Sequence, residues 1–196
     1  MANAPSIPAR VIGIDPGLNV TGYGVVEFRA SGAKLLEAGV IRSARSHDEN
    51  LPARLQSLFD GLSEVMGEFL PQAMCLEEVY SHASYPRTSI LMGHARGVIC
   101  LAARLSHVAV VNFSAKRIKR SVTGNGNASK SQVQRAVQQY FSLHQMPQPP
   151  DVADALAAAL CYLNTLRAVG NGLPVPRRRP SSFLDHTDAF RRGAIS

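Results

Sequence analysis

Short apolar runs and amphipathic stretches alternate along this chain, and their periods separate strands from helices. Val11-Ile12-Gly13-Ile14 ends in a single carboxylate, Asp15, and the chain then turns through Pro16-Gly17. A run bounded this way predicts a strand buried on both faces. Thr21 to Arg29 and Ala33 to Arg42 predict two further strands, joined by a hairpin at Ser31-Gly32. From His47 to Phe69 the period changes. Leu51, Leu55, Leu58, Leu62, Val65, Met66 and Phe69 recur at helical spacing, and Pro71 closes the helix.

Ala73 to Val79 repeats the first strand's design, an apolar run that meets Glu77 and Glu78. A loop over Tyr80 to Pro86 leads into a mostly apolar helix, Arg87 to Ser106, and Val108 to Phe113 predicts a fifth strand. Ser114 is placed to cap a short basic helix ending near Ser121. The glycine-rich turn Thr123 to Asn127 precedes a helix over Ser129 to Phe141. Gln145 to Pro150, with three prolines, reads as a linker, and Asp151 opens a last helix of small apolar residues. Three strands in a meander, then strands separated by helices, predict an α/β fold with a mixed sheet flanked by helices.

That pattern fills residues 10–169, one domain with a sizeable core in a chain of 196 residues. Residues 1–9 read as a flexible N-terminus. From 170 to 196 the chain is polar, rich in Pro, Gly and Arg, contains Arg177-Arg178-Arg179, and reads as a disordered basic tail. The N-terminus has no apolar signal core, and no apolar run approaches the roughly 18 residues of a membrane span, so a cytoplasmic protein is expected. Cys75, Cys100 and Cys161 are far apart in apolar contexts, which suits buried free thiols in a reducing compartment.

The net charge of +7 matters less than its placement. No Asp or Glu occurs between Glu78 and Asp151, while that stretch holds Arg87, Arg96, Arg104, Lys116, Arg117, Lys119, Arg120, Lys130 and Arg135. A folded positive face of this kind is most simply explained by a phosphate backbone, the alternative being a basic surface that only aids solubility.

Four acids stand out by position. Asp15 and Glu77 end apolar strands, where burying an unpartnered charge costs several kcal/mol or more, so each belongs at the sheet's mouth. Asp151 and Asp154 lie three apart at the start of the last helix and share a face. Capping is the plainer role for Asp15 in its turn and for Asp151 after Pro150. It is a weaker account of Asp154, deeper along a packing face. Gathered together, such carboxylates would raise one another's pKa, and a divalent cation would relieve the conflict. Magnesium favours oxygen ligands, and two ions about 4 Å apart can activate water and stabilise a leaving oxygen in phosphodiester displacement. Lys119 and Lys130 bracket the glycine-rich turn, either to meet a phosphate or as ordinary surface lysines. Tyr80 could stack on an unpaired base or simply pack.

Two other classes compete. Asp15-Pro-Gly-Leu-Asn-Val-Thr-Gly is close to the phosphate loop of actin/sugar-kinase-like phosphotransferases, but that architecture needs two such domains. A nucleic-acid-binding module with purely structural acids is the other, and a nuclease acting on RNA–DNA hybrid would keep the fold and metals.

Over roughly Arg10 to Ala168 the chain resembles the RuvC-type Holliday-junction resolvases of bacteria. The motifs are IGIDPGLNVTGYGVV, LEEVY, GHARGV, AKRIKRSVTGNGNASKSQV and DVADALAAAL, in that order. The resemblance implies a ribonuclease-H-like mixed five-stranded sheet flanked by helices on both faces. It further implies a homodimer that nicks two opposed strands of a four-way DNA junction, with Mg2+ or Mn2+, in recombination and repair. Its metal-binding acids fall at Asp15, Glu77, Asp151 and Asp154, and its functional lysines at Lys119 and Lys130. Tyr80 stands where the family often has a base-contacting phenylalanine, and Glu78 where an amide is commoner. DNA contacts are expected from Tyr80, Arg87, Lys116, Arg117, Lys119, Arg120 and Lys130, and RuvA and RuvB are expected partners.

Overall fold

The computed structural model describes residues 10–29, 32–43, 50–78 and 86–170. A five-stranded sheet is built from β1 (Arg10–Asp15), β2 (Val20–Arg29), β3 (Gly32–Arg42), β4 (Ala73–Glu77) and β5 (Ala109–Phe113). Its order is β3-β2-β1-β4-β5. The β1–β2 and β2–β3 pairs are antiparallel, whereas β1–β4 and β4–β5 are parallel. The mixed sheet expected from the strand meander is therefore present. Five helices cover it: α1 (Leu51–Phe69), α2 (Pro86–Leu105), α3 (Ala115–Thr123), α4 (Lys130–Phe141) and α5 (Pro150–Gly170).

Strand alternation divides the core into two layers. Val11, Ala73, Cys75 and Phe113 face α3, α4 and α5. Ile12, Ile14, Met74 and Leu76 face α1 and α2. The central strands are buried on both sides, which is why their sequences are continuous apolar runs rather than alternating ones. Each fully buried Ile, Leu or Met contributes about 1.5–3 kcal/mol relative to exposure.

Several element ends differ from the sequence expectation, each for a local reason. The first helix begins at Leu51, because the Asn50 side chain accepts from the Ala53 amide and Pro52 sits in the first turn. The 47–49 part of the expected helix lies outside the described residues. The helix stops where Leu70 turns left-handed, at φ 49°, and donates to the Met66 carbonyl, one residue before Pro71. Strand β4 ends at Glu77, and the Glu78 amide donates to the Phe113 carbonyl at 2.8 Å. Helix α3 continues to Thr123 before Gly124 ends it at φ 77°. The last helix begins at Pro150, one residue inside the expected linker. Residues 1–9 and 171–196, expected to be a flexible end and a basic tail, lie outside the described residues.

Helix α5 lies on β1 and β2 with almost nothing between the backbones. A Cβ built on Gly13 would stand 2.0 Å from the Ala155 carbonyl oxygen, and one on Gly22 would stand 2.2 Å from that of Asp151. The helix supplies Ala153, Ala155, Ala157, Ala158 and Ala159, all buried. Small residues on both partners bring the start of α5 against the mouth of the sheet.

Gly13→Ala forces main chain apart and is expected to destabilise the fold by about 3 kcal/mol or more. Gly67→Ala, on an exposed stretch of α1 with open space around it, is expected to stabilise by about 0.5–1 kcal/mol. Chemical denaturation of the two variants checks both the sizes and the opposite signs.

Candidate active site

The C-terminal ends of β1 and β4 lie side by side because the two strands are parallel and Ile14 pairs with Leu76. The next residues along are Asp15 and Glu77, and alternation turns both toward the α5 layer, on the side of Val11 and Cys75. Asp15 also pairs with Gly22, whose missing side chain admits the Asp151 backbone. One turn on, Asp154 projects from the same end of α5. Chain segments remote in sequence thus deliver carboxylates to one edge of the sheet.

The electrostatics show that these groups act on one another. Burial pushes the Asp15 carboxyl up to about 8 from 3.8, reinforced by the negative charges of Asp154, Glu77 and Asp151 and opposed by Lys130. Glu77 is raised by burial and by Asp154, against Lys119 and Lys130. Asp154 is raised by burial, with Lys130 and Lys119 opposing and Asp151 adding to the rise. The Lys130 ammonium stands 3.7 Å from an Asp154 oxygen. The acids share a field without forming a closed shell: among the described residues, no three His, Cys, Asp or Glu side chains are arranged as they stand to hold one ion. Burial and crowding of hard oxygen donors are nevertheless what a divalent cation would relieve, so the chemistry of the donors fits such an ion.

The expected basic residues separate into two groups. Lys119, on α3, and Lys130, at the start of α4, both act on the acids, as the shifts above record. Thr123 closes the turn between them, its hydroxyl bonded to the carbonyls of Lys119 and Asn125. The Ser129 capping box fixes the start of α4, with Gln132 completing it. Arg87, Lys116 and Arg120 are exposed. Arg117 differs from them. Its guanidinium lies 4.9 Å from the Phe113 ring centroid and donates to the Thr165 hydroxyl at 3.0 Å, so it joins α3 to β5 and α5. Tyr80 lies outside the described residues.

One residue draws no site role from the sequence, although it lies in the motif GHARGV. Arg96, on α2, donates to the Glu77 carbonyl at 2.5 Å and to the Asn112 side chain. Only the fold reveals this contact, since Arg96 and Glu77 belong to different elements.

A mixed sheet in this order, with acids at the ends of β1 and β4 and at the start of α5, defines an α/β protein of the ribonuclease-H-like class. The family model described as "Crossover junction endodeoxyribonuclease RuvC" matches residues 11–162. The chain belongs to the RuvC family. A crossover junction endodeoxyribonuclease RuvC of Rhodopirellula baltica is 50% identical over 157 residues, covering 80% of this chain and 87% of that protein. One from Azoarcus sp. strain BH72 is 37% identical over 180 residues, covering 91% and 96%. Among solved structures, T. thermophilus RuvC in complex with Holliday junction substrate superposes with a TM-score of 0.75 at 31% identity, covering 82% of this chain and 96% of that one. The yeast mitochondrial resolvase Ydc2 shares the fold, with a TM-score of 0.63 at 14% identity over 86% of this chain and 84% of that one.

Because the folded Asp15 carboxyl lies above its unfolded value of 3.8, the folded chain binds the extra proton between about pH 4 and pH 8. Its contribution is complete below that window and is lost as pH rises through about 8. In chelator, wild-type stability is expected to fall from pH 5 to pH 8 more than that of Asp15→Asn, by at least about 1 kcal/mol. Urea denaturation at the two pH values measures the difference.

Proposed function

We propose that this chain resolves Holliday junctions by paired, symmetric phosphodiester nicks, with Asp15, Glu77, Asp151 and Asp154 as its metal ligands. The convergence of Asp15, Glu77 and Asp154 at one edge of the sheet, opposed by Lys119 and Lys130, carries this reading. Two Mg2+ ions, or Mn2+ in their place, would supply an activated water and charge stabilisation at the phosphate. The protein's share is placement. Strand ends hold Asp15 and Glu77 rigidly, and the first turn of α5 presents Asp151 and Asp154 from the other side. Lys119 and Lys130 hold the scissile phosphate and offset the charge that develops on it. The products expected by family likeness are a 5′-phosphate and a 3′-hydroxyl.

The substrate reading rests on the family and on the superposition with a relative captured on such a junction. The exposed Lys116 and Arg120 of α3 are assigned further phosphate contacts beside Lys119, and Arg87, exposed on α2, a separate one. Arg117 is assigned to packing instead, because its guanidinium is engaged within the protein. Tyr80 keeps the base-stacking role implied by the motif LEEVY.

A four-way junction has two-fold symmetry, which a homodimer with two sites on one face matches. Helix α2 offers the surface. Ile90, Leu101 and Leu105 are 61%, 52% and 60% exposed, and Gly93 and Gly97 on the same stripe have open space around them. An apolar stripe with small residues at its centre lets two helices pack closely. RuvA and RuvB are the proposed partners that deliver the junction, and the cytoplasm is the proposed compartment. Among the described residues, no helix is long and apolar enough to cross a membrane.

Incubating labelled four-way DNA, linear duplex and RNA–DNA hybrid with and without Mg2+ tests the central claim. Cleavage confined to the junction and to Mg2+ is expected; cutting of the hybrid alone would refute the substrate. Asp15→Asn is expected to lose about 10³-fold in cleavage, the several kcal/mol that a bound divalent ion contributes. Its junction affinity should persist and should fall at least about tenfold between 50 and 200 mM salt, as phosphate contacts require. Leu101→Glu is expected to convert the dimer to monomer in sedimentation equilibrium.

A further inference from the structure

Glu77 is the last residue of β4, so its side chain is only as well placed as the backbone that carries it out of the sheet. On the α5 side the carboxylate meets the other acids and the two lysines. On the opposite side, the half-buried Arg96 of α2 reaches the same residue from behind. One arm of its guanidinium donates to the Glu77 carbonyl at 2.5 Å, and the other donates to the Asn112 side chain on β5. The Glu78 amide, one residue on, donates to the Phe113 carbonyl at 2.8 Å. Together these bonds pin the ends of β4 and β5 to each other and to α2.

Two features argue that position, rather than charge, is what Arg96 provides. The cations that act on the Glu77 carboxyl are Lys119 and Lys130, on the far side of the sheet, while Arg96 meets this residue through its main chain. A guanidinium also holds its donors in a fixed planar fork, so it can span two acceptors with little loss of freedom, which an ammonium cannot. Ala95 and Ile99 beside it are fully buried against the sheet, which fixes the helix from which the fork extends. The main-chain carbonyl it holds, that of Glu77, is at the point where the chain leaves regular hydrogen bonding, where backbone freedom would otherwise begin.

We propose that Arg96 is a positioning residue for the metal carboxylate Glu77, holding the end of β4 in the one arrangement from which that side chain reaches a divalent ion. The proposal rests on the metal-site reading above and assigns Arg96 no contact with metal or DNA.

The test uses the full chain as wild type, Arg96→Gln, Arg96→Lys, Asp15→Asn and Ile99→Val. Mn2+ binding without DNA is read by electron paramagnetic resonance, junction binding in chelator by gel shift, and single-turnover cleavage across a Mn2+ titration. Arg96→Gln is expected to bind the junction within about twofold of wild type and to bind Mn2+ about tenfold more weakly, the usual scale for a group that orients a ligand. Its cleavage should fall similarly at low Mn2+ and recover as Mn2+ is raised. Arg96→Lys, with charge but no fork, is expected to show the same defect in reduced form, and carries the test if Arg96→Gln fails to fold. Ile99→Val lowers melting temperature and should leave Mn2+ affinity unchanged. Wild-type Mn2+ affinity in both Arg96 variants, or a shift no larger than that of Ile99→Val, would overturn the role of Arg96. Unchanged Mn2+ binding in Asp15→Asn would instead overturn the metal site itself.

Discussion

The close seating of α5 on β1 and β2 is the constraint from which the site follows. Asp15 comes from the beginning of the chain and Asp151 and Asp154 from near its end, so nothing local holds them together. Backbone meets backbone at Gly13 and Gly22, and the helix contributes alanines where larger residues would hold it off. A thicker interface would leave the fold recognisable, yet separate the two sources of carboxylate by a side chain's width. Packing density in protein interiors makes such a spacing reproducible rather than approximate.

The same proximity creates an electrostatic conflict that the protein does not resolve by itself. Burial and mutual repulsion lift Asp15, Glu77 and Asp154 above their usual range, and among the described residues Lys119 and Lys130 offset them. Structural ion pairs elsewhere look different. The Arg29–Glu27 contact is exposed, and Glu27 is lowered mainly by its hydrogen bond to Arg29. One edge of the sheet thus carries charge at an energetic disadvantage, while its surroundings are tied together conventionally. That contrast is the usual mark of a functional site.

Much of this was legible in the sequence, for identifiable reasons. An apolar run that ends in Asp15, and another that ends in Glu77, specify both the strand and the point where it leaves the core. Helical spacing from Leu51 to Phe69 marks an amphipathic helix, and Ser114 and Ser129 announce two helix starts that the structure contains. The motifs carried the family. What could not be read were relations between elements. Arg96 and Arg117 both belong to one acid-free basic stretch and to quoted motifs, yet neither charge nor motif shows what their side chains touch. In the fold, one braces the end of β4 and the other lies against Phe113. Gly13 and Gly22 likewise look like ordinary strand glycines until α5 is laid over them. Element ends moved, the start of α1 by four residues, because caps act through local bonds, the side chain of Asn50 and the left-handed backbone of Leu70, that apolar spacing does not report.

The pairing of Lys130 with Asp154 has a kinetic corollary. In the protein alone this ammonium, together with Lys119, offsets the charge of Asp154. Under the metal-site proposal, a cation among the carboxylates would replace that attraction and leave the largely exposed lysine head available to an anionic backbone. Cation and DNA binding would then be linked through Lys130, and the order in which the two are added would affect how fast the complex becomes competent.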